Sequence, residues 1–172
     1  MSGALRVEPA SGGDAPAIAA LCRDEIEAGF AWQWRAGAIA RLMSRPDTEL
    51  AVARIPGGTL AGFGALELGS DDGELILFGV DPRFRRRGVG TAVLEFLAAE
   101  ATHAGLESLW LHVRVRNAAA VNFYERLGFR IRDHLDGHYG GHEDAFRMQR
   151  RLAETPEEPI EVPDLGALLR GS

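Results

Sequence analysis

Val80-Asp81-Pro82-Arg83-Phe84-Arg85-Arg86-Arg87-Gly88-Val89-Gly90-Thr91 joins an apolar run to a helical pattern. Upstream, Glu74 to Val80 (ELILFGV) is short and mostly apolar, as expected of a central strand covered on both faces. Downstream, Gly88 to His103 places Val89, Ala92, Val93, Phe96 and Leu97 on one stripe, with Gly105 just past the end. Ser108 to Val113 then alternates, Leu109, Leu111 and Val113 to one face and Trp110 and His112 to the other. A strand, helix, strand succession of this length predicts a parallel pair joined by a right-handed crossover. The loop itself predicts an anion site. The first amides of a helix lack acceptors and carry partial positive charge, glycine lets backbone approach a ligand closely, and neighbouring arginines add donors.

Two other phosphate-binding motifs are excluded by the residues present. No Gly-x-x-x-x-Gly-Lys-Ser/Thr run occurs, and after Gly88 and Gly90 the position a dinucleotide loop reserves for glycine is Val93. The basic cluster is local. The chain of 172 residues carries a net charge of -6, which argues against a general nucleic-acid surface. Its length fits one domain, read as 1–152, followed by an acidic, proline-containing tail, 153–172, whose Ile160, Val162, Leu165, Leu168 and Leu169 offer a docking face. Cys22 is the single cysteine, so an internal disulfide and a cysteine zinc site are excluded, and its apolar helical setting suggests a buried thiol. No stretch approaches the ~20 apolar residues of a membrane span and no signal-peptide pattern begins the chain, so a cytoplasmic protein is expected.

The remaining elements read outward from this centre. Leu5 to Val7 is a first strand. Asp14 and Pro16 open a helix carrying Ile18, Leu21, Cys22 and Ile26, with Gly29 as its stop. Trp32 and Trp34 are either packing aromatics or part of a loop over a substrate cleft. A helix over Ala36 to Met43 follows, then strands Glu49 to Ile55 and Leu60 to Leu68 around the turn Pro56-Gly57-Gly58-Thr59. Asn117 caps a helix to Leu127 that ends at Gly128, and Phe129 to Leu135 and Asp144 to Leu152 form a closing strand pair.

With these residues in view, the chain resembles the GNAT superfamily of acetyl-CoA-dependent N-acetyltransferases. Arg85-x-x-Gly88-x-Gly90 after Val80-x-Pro82 matches one signature, and Asn117 to Phe129 (NAAAVNFYERLGF) matches a second. The resemblance covers Leu60 to Leu152 closely and the N-terminal third in layout. It implies an α/β (α+β) fold, a mixed, mostly antiparallel twisted sheet whose central parallel strands splay apart, flanked by helices. It implies acetyl-CoA as cosubstrate and no metal. The pantetheine would pair with Phe78, Gly79 and Val80, and the pyrophosphate would sit on Arg85, Arg86, Arg87, Gly88, Val89, Gly90 and Thr91. Asn117 resembles a further cofactor contact as well as an ordinary cap. Arg126 is either a phosphate contact or a solvated arginine.

Tyr124 occupies the position of the family's general acid. Two residues compete for the base: Glu74, at the start of the strand before the loop, and His112, whose acid–base range suits neutral pH. The segment Asp136 to Met148 resembles the closing hairpin of ribosomal-protein alanine and other N-terminal acetyltransferases, which carry a Tyr-Tyr pair where this chain has His138-Tyr139. That implies a peptide α-amine as acceptor, with Trp32, Trp34, His138 and Tyr139 near it. A small amine (polyamine, aminoglycoside-like compound or amino acid) is the alternative, and a catalytically silent CoA-binding module a further one. The partners expected are therefore an amine substrate, with no nucleic acid and no membrane, and the chain is a monomer or a homodimer.

Overall fold

The structure, a computed structural model, describes residues 4–26 and 33–152. Gly29, Trp32 and the tail 153–172 lie outside the described residues. Seven strands form one sheet in the order β1-β2-β3-β4-β5-β7-β6. They are β1 (Arg6–Pro9), β2 (Thr48–Arg54), β3 (Leu60–Leu68), β4 (Asp72–Val80), β5 (Ser108–Arg114), β6 (Arg130–Tyr139) and β7 (Glu143–Arg151). Among the described residues only β4 and β5 run parallel, and α3 (Val89–His103) crosses between them as the strand-helix-strand reading requires. The other helices are α1 (Ala15–Leu21), extended by a π-helical turn over Cys22–Ile26, α2 (Ala36–Met43) and α4 (Ala118–Arg126).

Each face of the sheet buries its own apolar cluster. On one, α3 presents Val93, Leu94, Leu97 and Ala101 to Leu66, Leu75, Leu109 and Leu111. β3 makes this approach possible because a Cβ on Gly64 would lie 2.7 Å from Leu97 Cδ1 and one on Gly62 2.8 Å from Val89 Cγ1. On the other face, Ile18, Leu21 and the buried Cys22 meet Ile39 and Leu42 of α2 over Val52, Phe63 and Leu77. The two patterns of apolar residues seen in the sequence are thus two layers on one sheet.

Simple alternation along β4 fails at one point, and that point opens the molecule. Leu66 pairs with Leu75 but Ala65 pairs with Leu77, so Ile76 is an extra residue, a β-bulge. It changes the side of every following residue: Leu75 packs under α3, whereas Leu77 packs under α1 and α2. The β4–β5 ladder stops there too, running only from Asp72↔Ser108 to Leu75↔Leu111. Beyond the bulge the two parallel strands part, and the edge of Phe78–Val80 turned toward β5 has no ladder partner among the described residues.

The closing pair is longer than expected. β6 continues past the expected end at Leu135 as far as Tyr139, leaving only a short turn of Gly140, Gly141 and His142. Leu135 pairs with Ala145 and Tyr139 with Glu143, so β6 spends two more residues than β7 over this interval. Gly137 takes a left-handed φ of 58° within it and donates its N–H to Asp144 Oδ1 at 2.9 Å. Gly137 serves to bow the strand.

Candidate active site

A cleft of about 630 Å³ fills the gap between the parted strands, within the ordinary range for a small-molecule site. One wall begins with Phe78, Gly79 and Val80 on β4 and continues into the loop before α3. Pro82–Phe84 makes a tight turn capped by Asp81, which accepts the Arg83 N–H at 2.9 Å. The Arg83 guanidinium is the main reason the Asp81 carboxyl titrates below its usual range. Arg86 and Gly88 both adopt left-handed φ, 61° and 77°, and wind the backbone tightly onto the start of α3. The amides of Val89, Gly90 and Thr91 form the unsatisfied first turn, beginning before the Ala92 N–H bonds to Gly88 O.

The two glycines of the motif have different physical reasons. Gly88 is needed for its backbone angle, since a Cβ there would meet nothing within 4 Å. Gly90 is needed for packing, since its Cβ would stand 3.1 Å from Phe123 Cζ and 3.2 Å from Phe78 Cζ. Neither reason is the close approach to a ligand expected of glycine in the sequence.

Among the arginines, Arg85, Arg86 and Arg126 line the cleft, and Arg87 does not. Arg87 rests over the Phe84 ring at 5.9 Å. Arg85 pairs with Glu25, which hangs from the extension of α1 and reaches the cleft from the opposite wall. Asn117 lines the cleft and also caps α4, accepting the Ala120 N–H at 3.2 Å.

Tyr124 and His112 face the cleft from opposite sides of the sheet. Tyr124, on α4, is buried with Phe78, Phe123 and Phe129, its ring centre 5.3 Å from that of Phe123. Burial drives its phenol well above the ordinary range, and the nearby Tyr139 adds to the effect. His112 alternates with Leu111 and Val113 on β5 and so projects to the α1–α2 side. Its Nδ1 lies 3.0 Å from Glu74 Oε1. The two residues that competed as base are therefore bonded to each other. His112 lines the cleft, whereas Glu74 stands behind it on the wall of a neighbouring 210 Å³ hollow with Trp110 and Arg147.

The acceptor-side residues divide. Tyr139 lines the cleft, half-buried beneath the Arg114 guanidinium at 4.8 Å. Burial raises its phenol, against the opposing charge of Arg114 and with Glu143 adding to the rise. His138 is exposed and lies flat against His112, ring centres 4.6 Å apart and planes 9° apart. Trp34 packs on the α1–α2 cluster and is not among the cleft residues, as its packing reading has it.

Among the cleft residues that sequence reasoning did not single out, three carry polar or aromatic side chains worth naming. Arg114 continues the alternation of Trp110 and His112 and could have been read from it. Phe123 carried a signal only in its place beside Tyr124. Glu25 carried none, because its partner is 60 residues away. Among the described residues one group with metal-ligand chemistry converges, His134, Asp136 and Asp144, on the exposed β6–β7 hairpin. No helix among them is long and apolar enough to cross a membrane.

A bulge on β4 beside which the parallel strands β4 and β5 part, with a helix N-terminus at the mouth of the gap, defines the architecture of an acyl-CoA N-acyltransferase. Residues 18–129 match the family model described as the acetyltransferase (GNAT) family, and the chain belongs to that family. It is 42% identical over 92 residues to the [ribosomal protein bS18]-alanine N-acetyltransferase of Salmonella typhimurium (strain LT2), covering 52% of this chain and 62% of that one. The chain thus spans a little under two thirds of the length of this curated relative. The crystal structure of the ribosomal-protein-S18-alanine N-acetyltransferase from Escherichia coli superposes with a TM-score of 0.74 at 28% identity, over 90% of this chain and 98% of that one. A PaiA N-acetyltransferase from Thermoplasma acidophilum, solved in complex with coenzyme A, shares the fold with a TM-score of 0.74 at 18% identity, over 87% of this chain and 99% of that one. Members of this family use acetyl-CoA.

Proposed function

We propose that the protein transfers an acetyl group from acetyl-CoA to the α-amine of a protein or peptide N-terminus. The observation that carries this reading is the cleft itself, which runs through the sheet with Tyr124 on one side and His112 on the other. Donor and acceptor can then approach one reacting centre from opposite faces.

The donor wall suits the ligand. The unpaired edge of Phe78–Val80 offers strand-like hydrogen bonds to the amides of a pantetheine arm. The left-handed pair Arg86 and Gly88, the α3 amides and the guanidinium groups of Arg85 and Arg86 suit a pyrophosphate. Asn117 and Arg126 stand at the same wall. Acetyl-CoA supplies a thioester carbonyl that an amine nitrogen attacks, with C–N bond formation and C–S cleavage.

The protein's residues move the protons. An ionised Glu74 accepts only, so His112 donates its Nδ1–H to it and keeps Nε2 as a lone pair for the ammonium proton of the acceptor, directly or through a water. Glu74 orients this base and balances the imidazolium that forms. Tyr124 remains protonated at neutral pH because burial disfavours its phenolate, and it donates to the departing thiolate. Tyr139, beneath Arg114, is placed to hydrogen-bond the acceptor's backbone.

The names of the relatives support a peptide acceptor. The test is thiol release from acetyl-CoA against N-terminal peptides, polyamines and aminoglycosides. Turnover of peptides beginning with alanine is expected, and exclusive turnover of the non-peptide amines would replace this acceptor class. Acetyl-CoA alone should raise the Tm by mass action, and a folded sample showing no shift at millimolar acetyl-CoA overturns the donor assignment.

A further inference from the structure

We propose that His138 is a positioning residue that fixes the ring plane of His112, and that a bulge pinned by Asp144 holds His138 in place. The kinetic part of this proposal rests on His112 as the base, and the geometric part does not.

A single hydrogen bond from Nδ1 to Glu74 fixes one edge of the His112 ring but leaves it able to swing about that bond. Its Nε2 lone pair would swing as well. His138 removes this freedom. Its ring covers the face of His112 almost in parallel, at the lower end of the spacing at which aromatic rings attract. The edge of Tyr139 braces His138 in turn, with ring centres 4.9 Å apart and planes at 85°. Glu74, His112, His138 and Tyr139 thus form one chain of contacts from the back of the sheet to the cleft.

An exposed histidine does not arrive there by ordinary pairing. Continuing the ladder from Leu135↔Ala145 would set Gly137 opposite Glu143, yet Tyr139 occupies that register. The two additional residues bow the strand, and His138 lies on the bowed segment. Asp144 keeps the bow in shape. One of its carboxylate oxygens accepts the Gly137 N–H, and the other meets His134 Nε2 at 2.9 Å. Removing the carboxylate leaves Gly137 free to relax out of its left-handed conformation, and His138 moves with it.

The test reads His112 directly. In a long-range proton–nitrogen NMR spectrum at mildly alkaline pH, the wild-type ring is expected as a single Nδ1–H tautomer. In His138→Ala it should become a mixture of tautomers, and His138→Phe, which keeps a flat ring, should restore the single form. Asp144→Ala should behave like His138→Ala, while Asp144→Asn, which still accepts from Gly137, should behave like wild type. A single tautomer retained in His138→Ala, or a mixture in His138→Phe, overturns the positioning role. A single tautomer in Asp144→Ala removes Asp144 from it.

Kinetics with acetyl-CoA and an alanine-initiated peptide separate this from the catalytic assignment. His138→Ala should lower kcat by about ten-fold with acetyl-CoA affinity unchanged, an effect typical of small misplacements of a catalytic group. If His112→Ala leaves kcat intact, the base assignment fails while the spectra still decide the positioning. If His112→Ala is impaired and His138→Ala is not, the base stands and the positioning role falls.

Discussion

The two halves of the cleft are held by different forces. The donor half is assembled by close apolar contact: Gly62 and Gly64 let α3 approach the sheet, and Gly90 sits in van der Waals contact with Phe78 and Phe123. The acceptor half adds, to its own apolar cluster under α1 and α2, a set of polar ties between distant residues. Arg54 joins Asp14 at the start of α1 to β2, Glu74 holds His112, Asp144 holds the β6 bulge, and Arg114 and Arg116 hold Glu143. Apolar packing tolerates pH and salt, whereas ion pairs do not. On the proposed reading, a donor side held chiefly by packing faces an acceptor side whose added ties carry charge.

The largest effect expected is at the point where the halves meet. Tyr124→Phe removes a proton donor without changing the packing of the ring, so kcat should fall by roughly 10²- to 10⁴-fold for every acceptor. The Tm shift caused by acetyl-CoA should persist, because the apolar donor wall is intact. An unchanged kcat would strip Tyr124 of its role. Loss of the Tm shift would show that the phenol belongs to the binding wall rather than to the chemistry.

The same contrast explains what could be read in advance. The donor half is local in sequence: one strand, one loop and one helix, each marked by periodicity, glycine spacing or arginine clustering. The helix Ala36–Met43 and the strand Leu60–Leu68 were legible to the residue for the same reason. The bulge at Ile76 was not, because ELILFGV is apolar at nearly every position and cannot reveal a change of side. The bow in β6 was hidden behind glycines that suggest a loop. His112 and Glu74 were found separately as rivals, since nothing local shows that residues 38 apart share a hydrogen bond. Polar ties between distant strands leave no periodic trace.

Asp14 gives the next largest effect and tests the polar half. Burial raises its carboxyl pKa, but the Arg54 guanidinium and the Ser11 amide outweigh burial, and the net shift is below its ordinary 3.8. A depressed carboxyl stabilises the fold above the unfolded value and ceases to do so as pH falls through about 4 and below. Asp14→Asn leaves the mostly buried Arg54 with Glu8 alone, at 2.7 Å, and should cost about 3 kcal/mol near neutral pH. The wild-type advantage should shrink as pH falls below the ordinary 3.8 and be lost as it passes the lowered folded-state value. A gap between the two proteins that is constant across pH would show that shape rather than charge ties α1 to the sheet.

Gly90→Val makes the corresponding test on the apolar half. The new side chain begins 3.1 Å from Phe123 and 3.2 Å from Phe78, so those rings must shift. Overpacking of this kind should cost about 1–3 kcal/mol, independent of pH, and should weaken acetyl-CoA binding because Phe78 belongs to the donor wall. A pH-dependent loss of stability would contradict the division between the halves.

The smallest effect concerns the ion pair that spans them. Glu25 belongs to the extension of α1 and Arg85 to the phosphate-type loop, so each half holds one partner. The Arg85 side chain is 55% exposed, and a pair of this kind contributes less than about 1 kcal/mol. A pyrophosphate on the donor wall competes with Glu25 for the same guanidinium. Glu25→Gln should therefore tighten acetyl-CoA binding by about two- to five-fold at low ionic strength, read by titration calorimetry. The gain should disappear near 1 M salt, where screening acts over about 3 Å. Weaker binding in the variant would give Glu25 the opposite role, that of holding Arg85 ready for the ligand, and the acceptor half would then help to build the donor site.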